Sequence, residues 1–180
     1  MKAILVISGT NPPQSSALKI AKVVEGLYWS AQIPAEVLSL CDLPAAMFEP
    51  AAYEHKPAEF AQIQQRVLHA AALHVITPEY NGSFPGVLKY FIDMLRFPES
   101  FDRKPVALVG ESDGTWGALR AGEQLQLVLR YRNAHIYPER VFITEVSSRL
   151  DERGNLQGEL KERLLRQMTG FARFINCLGA

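Results

Sequence analysis

The residues best suited to chemistry lie in one stretch, Thr77-Pro78-Glu79-Tyr80-Asn81-Gly82-Ser83-Phe84-Pro85-Gly86. An apolar run, Leu73-His74-Val75-Ile76, stops abruptly at Pro78. The turn formers Asn81, Gly82 and Ser83 follow, and Pro85 falls in the expected first turn of a helix, where its missing N–H costs little. The pattern reads as a strand, a tight loop and a helix start, which is where open α/β sheets bind ligands. The loop combines small residues with one aromatic, Tyr80, and one amide, Asn81. That chemistry suits a planar ligand with polar edges better than a metal or a nucleophile.

Two further loops carry hydrogen-bonding groups. Ser8 to Ser16 opens a helix, so its last N–H groups are unpaired. With hydroxyls at Thr10, Ser15 and Ser16, it is able to hold a phosphate, or to serve only as an ordinary N-cap by Ser15 or Ser16. It is neither a Walker loop nor a Gly-x-Gly-x-x-Gly loop. Gly110 to Arg120 has glycines at 110, 114 and 117, which let backbone approach a ligand, and Trp116, which offers an aromatic wall. A plain glycine-rich turn with a partly buried Trp is the simpler alternative. No metal or nucleophile pattern appears: His55, His69, His74 and His135 lack ligand spacing, and His74 reads as a structural residue inside a strand. Glu79 suits a base less well than a loop anchor.

The elements that must position these loops alternate. Strands are expected at Ala3–Ile7, Ala35–Leu40, Leu73–Thr77 and Pro105–Gly110, with a short last strand within Ala134–Ile143 interrupted by Pro138. Helices are expected at Ser15–Ser30, Pro57–Ala72, Phe84–Arg96, Gly117–Arg132 and Leu156–Leu178, and Cys41–Lys56 reads as irregular. Alternation implies parallel strands joined by right-handed crossovers. The expected fold is one α/β domain over residues 1–180, a three-layer, doubly wound five-stranded sheet in flavodoxin-like order 2-1-3-4-5. That order gathers the loops after strands one, three and four at one edge.

The 180 residues are 48% hydrophobic and 21% charged, with a formal net charge of zero. No field of one sign draws nucleic acid or an anionic membrane. The start, Met1-Lys2-Ala3-Ile4, shows no signal-peptide pattern, and no apolar run reaches membrane-spanning length. Cys41 and Cys177 are isolated and read as free, buried thiols of a cytoplasmic protein.

The run Pro78-Glu79-Tyr80-Asn81-Gly82-Ser83-x-Pro85-Gly86-x-Leu88-Lys89 closely resembles the central motif of the NADPH-dependent FMN reductase family, which includes related quinone and azo-dye reductases. Gly114, Gly117, Leu119, Arg120 and Ala121 resemble that family's second glycine-rich segment. The resemblance spans nearly the whole chain in element order. It implies FMN as cofactor, NADPH or NADH as electron donor, and a homodimer or tetramer. It implies that Thr10, Gln14, Ser15 and Ser16 hold the FMN phosphate. Pro78, Glu79, Tyr80, Asn81 and Gly82 would line the flavin ring, and Ser112, Gly114, Trp116 and Gly117 would complete the site. The implied activity is an NAD(P)H oxidoreductase acting on free flavin, a quinone or a similar small acceptor, with no catalytic side chain because the cofactor carries the chemistry. A flavodoxin-type electron carrier and a flavin-binding domain without reductase activity are the alternatives. Zero net charge argues against the carrier, a class that tends to be acidic.

The chain departs from the family pattern twice. Pro12 stands in the region of a usual first-loop arginine, and Pro12 and Pro13 carry no N–H. Tyr90 follows the motif lysine where the family has asparagine. The helix from Phe84 carries a second apolar strip, Tyr90, Met94 and Phe97, beyond the roughly 100° of apolar arc that covering a sheet requires. That strip is expected to face a second copy of the chain, or else to be covered by Cys41–Pro57.

Overall fold

Five-residue to seven-residue runs that are buried from end to end set the centre of this molecule. In the computed structural model, which describes residues 2–151, 153–156 and 158–179, they are β1 (Ile4–Ser8), β3 (Ala72–Pro78) and β4 (Pro105–Glu111). With β2 (Ala35–Ser39) they pair in parallel in the order β2-β1-β3-β4. Beyond β4 the sheet splits. β5 (His135–Ile136) pairs with the start of β4, and β6 (Val141–Ile143) with its end. Pro138 lies between the pieces, lacking the N–H that a continuous ladder needs. The expected single strand is therefore two, and the expected order 2-1-3-4-5 is otherwise observed.

Helices cover both faces, and the strand alternation decides which residues meet them. Ile4, Val6, Ile76, Ala107 and Val109 face α1 (Ser16–Ser30) and α6 (Gly158–Leu178). Leu5, Ile7, Leu73, Val75, Val106 and Leu108 face α2 (Ala58–His69), α3 (Gly86–Met94) and α4 (Leu119–Tyr131). A four-residue helix, α5 (Val146–Arg149), follows β6 and has no counterpart in the sequence-based expectation. His74 is a structural residue. It is fully buried, its Nδ1 lies 2.9 Å from the Tyr28 hydroxyl, and burial holds its pKa down at about 4.

α3 is shorter than expected. Pro85 precedes its first residue rather than lying within its first turn, and Leu95 is already extended. Cys41–Lys56, expected to be irregular, instead forms short 3-10 turns at Leu40–Asp42, Ala45–Phe48 and Pro50–Tyr53. These turns lie over α3. The Tyr90 hydroxyl donates to the Met47 carbonyl, Phe48 stacks on the Tyr90 ring at 5.3 Å, and Tyr53 meets it edge-on at 5.8 Å. Met94 is 1% exposed and belongs to the core. The strip expected to face a second subunit is thus mostly covered from within the chain, and only Phe97 remains open. The two cysteines are free but exposed, not buried as expected, with Cys41 in a 3-10 turn and Cys177 near the end of α6.

The outer margin of β2 is occupied by side chains. Glu25 accepts from the Val37 N–H at 2.9 Å, and Arg66 donates to the Val37 carbonyl at 2.7 Å. Arg66 also pairs with Glu36 at 3.2 Å.

Candidate functional site

The loops after β1, β3 and β4 converge at the carboxyl ends of these neighbouring strands. Asn81 and Gly82 are the central pair of a two-residue turn, with φ values of 52° and 76°. Tyr80 and Ser83 exchange backbone hydrogen bonds of 2.8 and 3.1 Å across it. Asn-Gly favours this geometry because both positions need positive φ. A Cβ at Gly82 would meet nothing within 4 Å, so the turn conformation, not crowding, explains the glycine here. The Asn81 and Gly82 N–H groups bond to no described residue.

α4 holds this turn from beneath. Gln124 donates to the Gly82 carbonyl at 3.0 Å and accepts from the Ser83 hydroxyl at 2.6 Å. Glu79 accepts from the Arg120 guanidinium at 3.3 Å and from the Ala121 N–H at 3.4 Å, so its carboxylate also sits in the first turn of α4. Glu79 is a loop anchor, the role favoured for it over that of a base. Gln124 was not singled out from sequence, since a glutamine on an amphipathic helix carries no local signal.

The first loop works partly as an ordinary cap. The Ser15 hydroxyl accepts from the Leu18 N–H at 3.2 Å, and the Ser15 N–H itself donates to the Pro12 carbonyl. The Ser15 N–H is therefore engaged within the loop, while its hydroxyl, accepting from Leu18, keeps its own proton to donate. Gln14 is exposed, and Ser16 opens α1. Thr10 is buried, with its hydroxyl 3.0 Å from the Tyr80 phenol oxygen. That contact ties the first loop to the second.

Two glycines of the third loop are packed tightly against β6. Gly117 has φ 54°, and a Cβ there would lie 2.9 Å from the Ile143 backbone. Gly110 is likewise pressed against Phe142. These glycines let the loop close onto β6, whereas at Gly114 an added Cβ would make only ordinary contact. Trp116 is 59% exposed, not partly buried. Asp113 accepts from the Ser147 N–H at 2.8 Å and the Ser147 hydroxyl at 2.7 Å, which holds its pKa below the usual carboxylate range.

Between the loops lies a cleft of about 280 Å³. Ser15, Ser16, Pro78, Glu79, Tyr80 and Ser112 line it, as expected. Thr10, Gln14, Asn81, Gly82, Gly114, Trp116 and Gly117 stand outside that lining. Larger clefts, of about 470 Å³ beside β6 and α6 and about 560 Å³ between α3 and α4, lie on the flanks, away from these loops. The cleft also has a lining residue that the sequence reading passed over, Glu111, the last residue of β4. It is 4% exposed. Burial raises its pKa to about 7, Asp113 adds to the rise, and the Ala17 N–H in the first turn of α1 pulls it partway down.

Known proteins share this arrangement. The family model described as NADPH-dependent FMN reductase matches residues 2–147. A Vibrio ruber protein named NADH:(hydroxy)cinnamate reductase subunit is 30% identical over 126 residues, 69% of this chain but only 61% of the length of that relative. The quinone reductase of Escherichia coli K12 is 32% identical over 143 residues, 76% of each chain. The solved structure of a flavoenzyme NAD(P)H:(acceptor) oxidoreductase from Paracoccus denitrificans superposes with a TM-score of 0.82 at 26% identity, covering 98% of both chains. The flavodoxin-like sheet order, the three converging loops and a match across residues 2–147 lead to one assignment: the chain belongs to the NADPH-dependent FMN reductase family.

Proposed function

We propose that this chain is a cytoplasmic FMN-dependent NAD(P)H oxidoreductase whose acceptor is a small molecule such as free flavin or a quinone. The observation that carries this reading is the Asn81–Gly82 turn. Its two N–H groups bond to no described residue, and Gln124 and Glu79 hold its loop against α4 beside the cleft that Glu79 and Tyr80 line. Bound FMN would supply the ring that accepts hydride from a nicotinamide and passes electrons onward. The residues present fit that group. Preorganised N–H donors suit the polar edge of a ring and stabilise negative charge on it. Tyr80, 45% exposed and tethered through Thr10, offers an aromatic edge. The Ser16 hydroxyl and N–H and Gln14 are donors available to a phosphate at the start of α1, where the Leu18 N–H is already taken by Ser15. The exposed free thiols agree with a reducing compartment.

At pH 6.5 the protein is expected to bind one FMN per chain and to bind riboflavin more weakly. NADPH or NADH should then bleach the flavin absorbance under anaerobic conditions. Binding without bleaching by either donor would favour an electron carrier, and a lack of flavin binding would refute the assignment.

A second copy of the chain is the proposed partner. Phe97, Leu127 and Tyr131 remain 62%, 67% and 78% exposed on the flank of α3 and α4, a patch of the kind that marks protein contacts. Sedimentation at micromolar concentration should give a homodimer, and a monomer would defeat this part of the proposal.

A further inference from the structure

Resting on the flavin-site reading, the geometry points to Glu111 as the residue that makes phosphate binding in this cleft conditional on a proton. With its carboxyl protonated, Glu111 donates a hydrogen bond to a phosphate oxygen; ionised, it repels the phosphate.

The position follows from the strand. Side chains of β4 alternate, so Glu111 shares the face of Ala107 and Val109, the face packed by α1. At the carboxyl end of β4 that places it at the first turn of α1, against the Ala17 N–H. Orphan N–H groups of a helix start ordinarily receive an external anion. Here a protein carboxyl already faces them.

The groups around it supply no compensating charge. Asp113 follows it in the same loop, and Glu79 and Tyr80 enter the cleft from the β3 loop. The first loop contributes Pro12 and the Ser15 and Ser16 hydroxyls, and α5 contributes Val146. Among the described residues lining the cleft there are three carboxyls and no lysine or arginine. The charge of Glu79 is matched by Arg120, outside the lining. A phosphate carrying about −1.5 to −2 charge near pH 7 meets an unfavourable field unless one carboxyl is neutral. Glu111 is the one that burial drives toward neutrality near pH 7, while Asp113 is held ionised by Ser147.

The sign follows. A group that must be protonated for binding costs nothing below its pKa and weakens binding about tenfold per pH unit above it. The second ionisation of a phosphate lies near pH 6, so the slope above pH 7 belongs to the protein.

The test is titration of the purified chain with FMN and with riboflavin from pH 6.5 to 8.5, read by flavin fluorescence. The FMN Kd should rise about tenfold between pH 7.5 and 8.5, while that of riboflavin stays within about twofold. In Glu111→Gln the FMN Kd should be flat and, at pH 8.5, roughly tenfold or more below that of the wild type. Calorimetry of the wild type in two buffers at pH 8 should show uptake of close to one proton on binding FMN and none on binding riboflavin. A flat FMN profile in the wild type, absence of proton uptake, or the same slope in Glu111→Gln would overturn the proposal. Failure of both flavins at every pH would overturn the flavin site itself, and this proposal with it.

Discussion

Met94→Glu should unfold the chain rather than release folded monomers. The side chain is 1% exposed, in the core beneath α3 with Phe91, Leu95 and Phe101. A carboxylate placed there has no partner, and the charge must either be desolvated or neutralised by a strongly raised pKa. With the lost apolar burial, the expected cost is about 4 kcal/mol or more, a large share of the stability of a typical domain. Thermal melting and sedimentation of the soluble fraction check this. A variant that melts within a few degrees of the wild type and sediments as a monomer would return Met94 to the surface.

The second large effect is expected at Arg132, just after α4. Arg132 is buried, with 6% of the residue exposed. Its guanidinium donates to the Ile92 carbonyl at 2.9 Å and the Arg96 carbonyl at 2.8 Å, closing the C-terminal end of α3. It also lies over the rings of Phe97 and Phe101, 5.1 and 4.9 Å from their centres. The last carbonyls of a helix have no partner within it, so Arg132→Ala strands that of Ile92, leaves the Arg96 carbonyl only its 3.3 Å bond from the Ser100 N–H, and removes two charge-assisted bonds and both ring contacts. The expected loss is about 3 kcal/mol, a drop in melting temperature of about 10 °C for a chain of this size. Arg132→Lys should recover only a minor part, because an ammonium does not span two carbonyls with a planar fork. Flavin retention should fall with it, as α3 begins directly behind the Asn81–Gly82 turn. A melting temperature unchanged in Arg132→Ala would show that α3 needs no such closure.

Much of this was legible in the residues, and the exceptions have physical causes. Continuous apolar strands alternating with helical periodicity are local patterns, and they specified the layer order. Asn81–Gly82 is a turn signal whose geometry follows from positive φ alone. Glu111 was passed over because it ends an apolar run, Pro105–Gly110, and its burial depends on α1 and on α5, which lie far away in sequence. At Gly110 and Gly117 sequence shows that space is needed but not what borders it; Phe142 and Ile143 do. The apolar arc of α3 was counted correctly. Its cover by Cys41–Pro57 stood only as the alternative to a second copy, because the 3-10 turns at Leu40–Asp42, Ala45–Phe48 and Pro50–Tyr53 are set by tertiary contacts such as Phe48 on Tyr90 rather than by periodicity.

The two margins of the sheet have a consequence for how the protein behaves at high concentration. An unpaired strand edge is a template on which another chain can add a strand, the first step of ordered aggregation. On one side Glu25 and Arg66 already hold the N–H and carbonyl that Val37 would offer to a newcomer. On the other side β5 and β6 are two and three residues long and separated by Pro138, too short to register an added strand. Both margins are thus poor templates for an added strand, which leaves the helical flanks as the surfaces through which folded copies can meet.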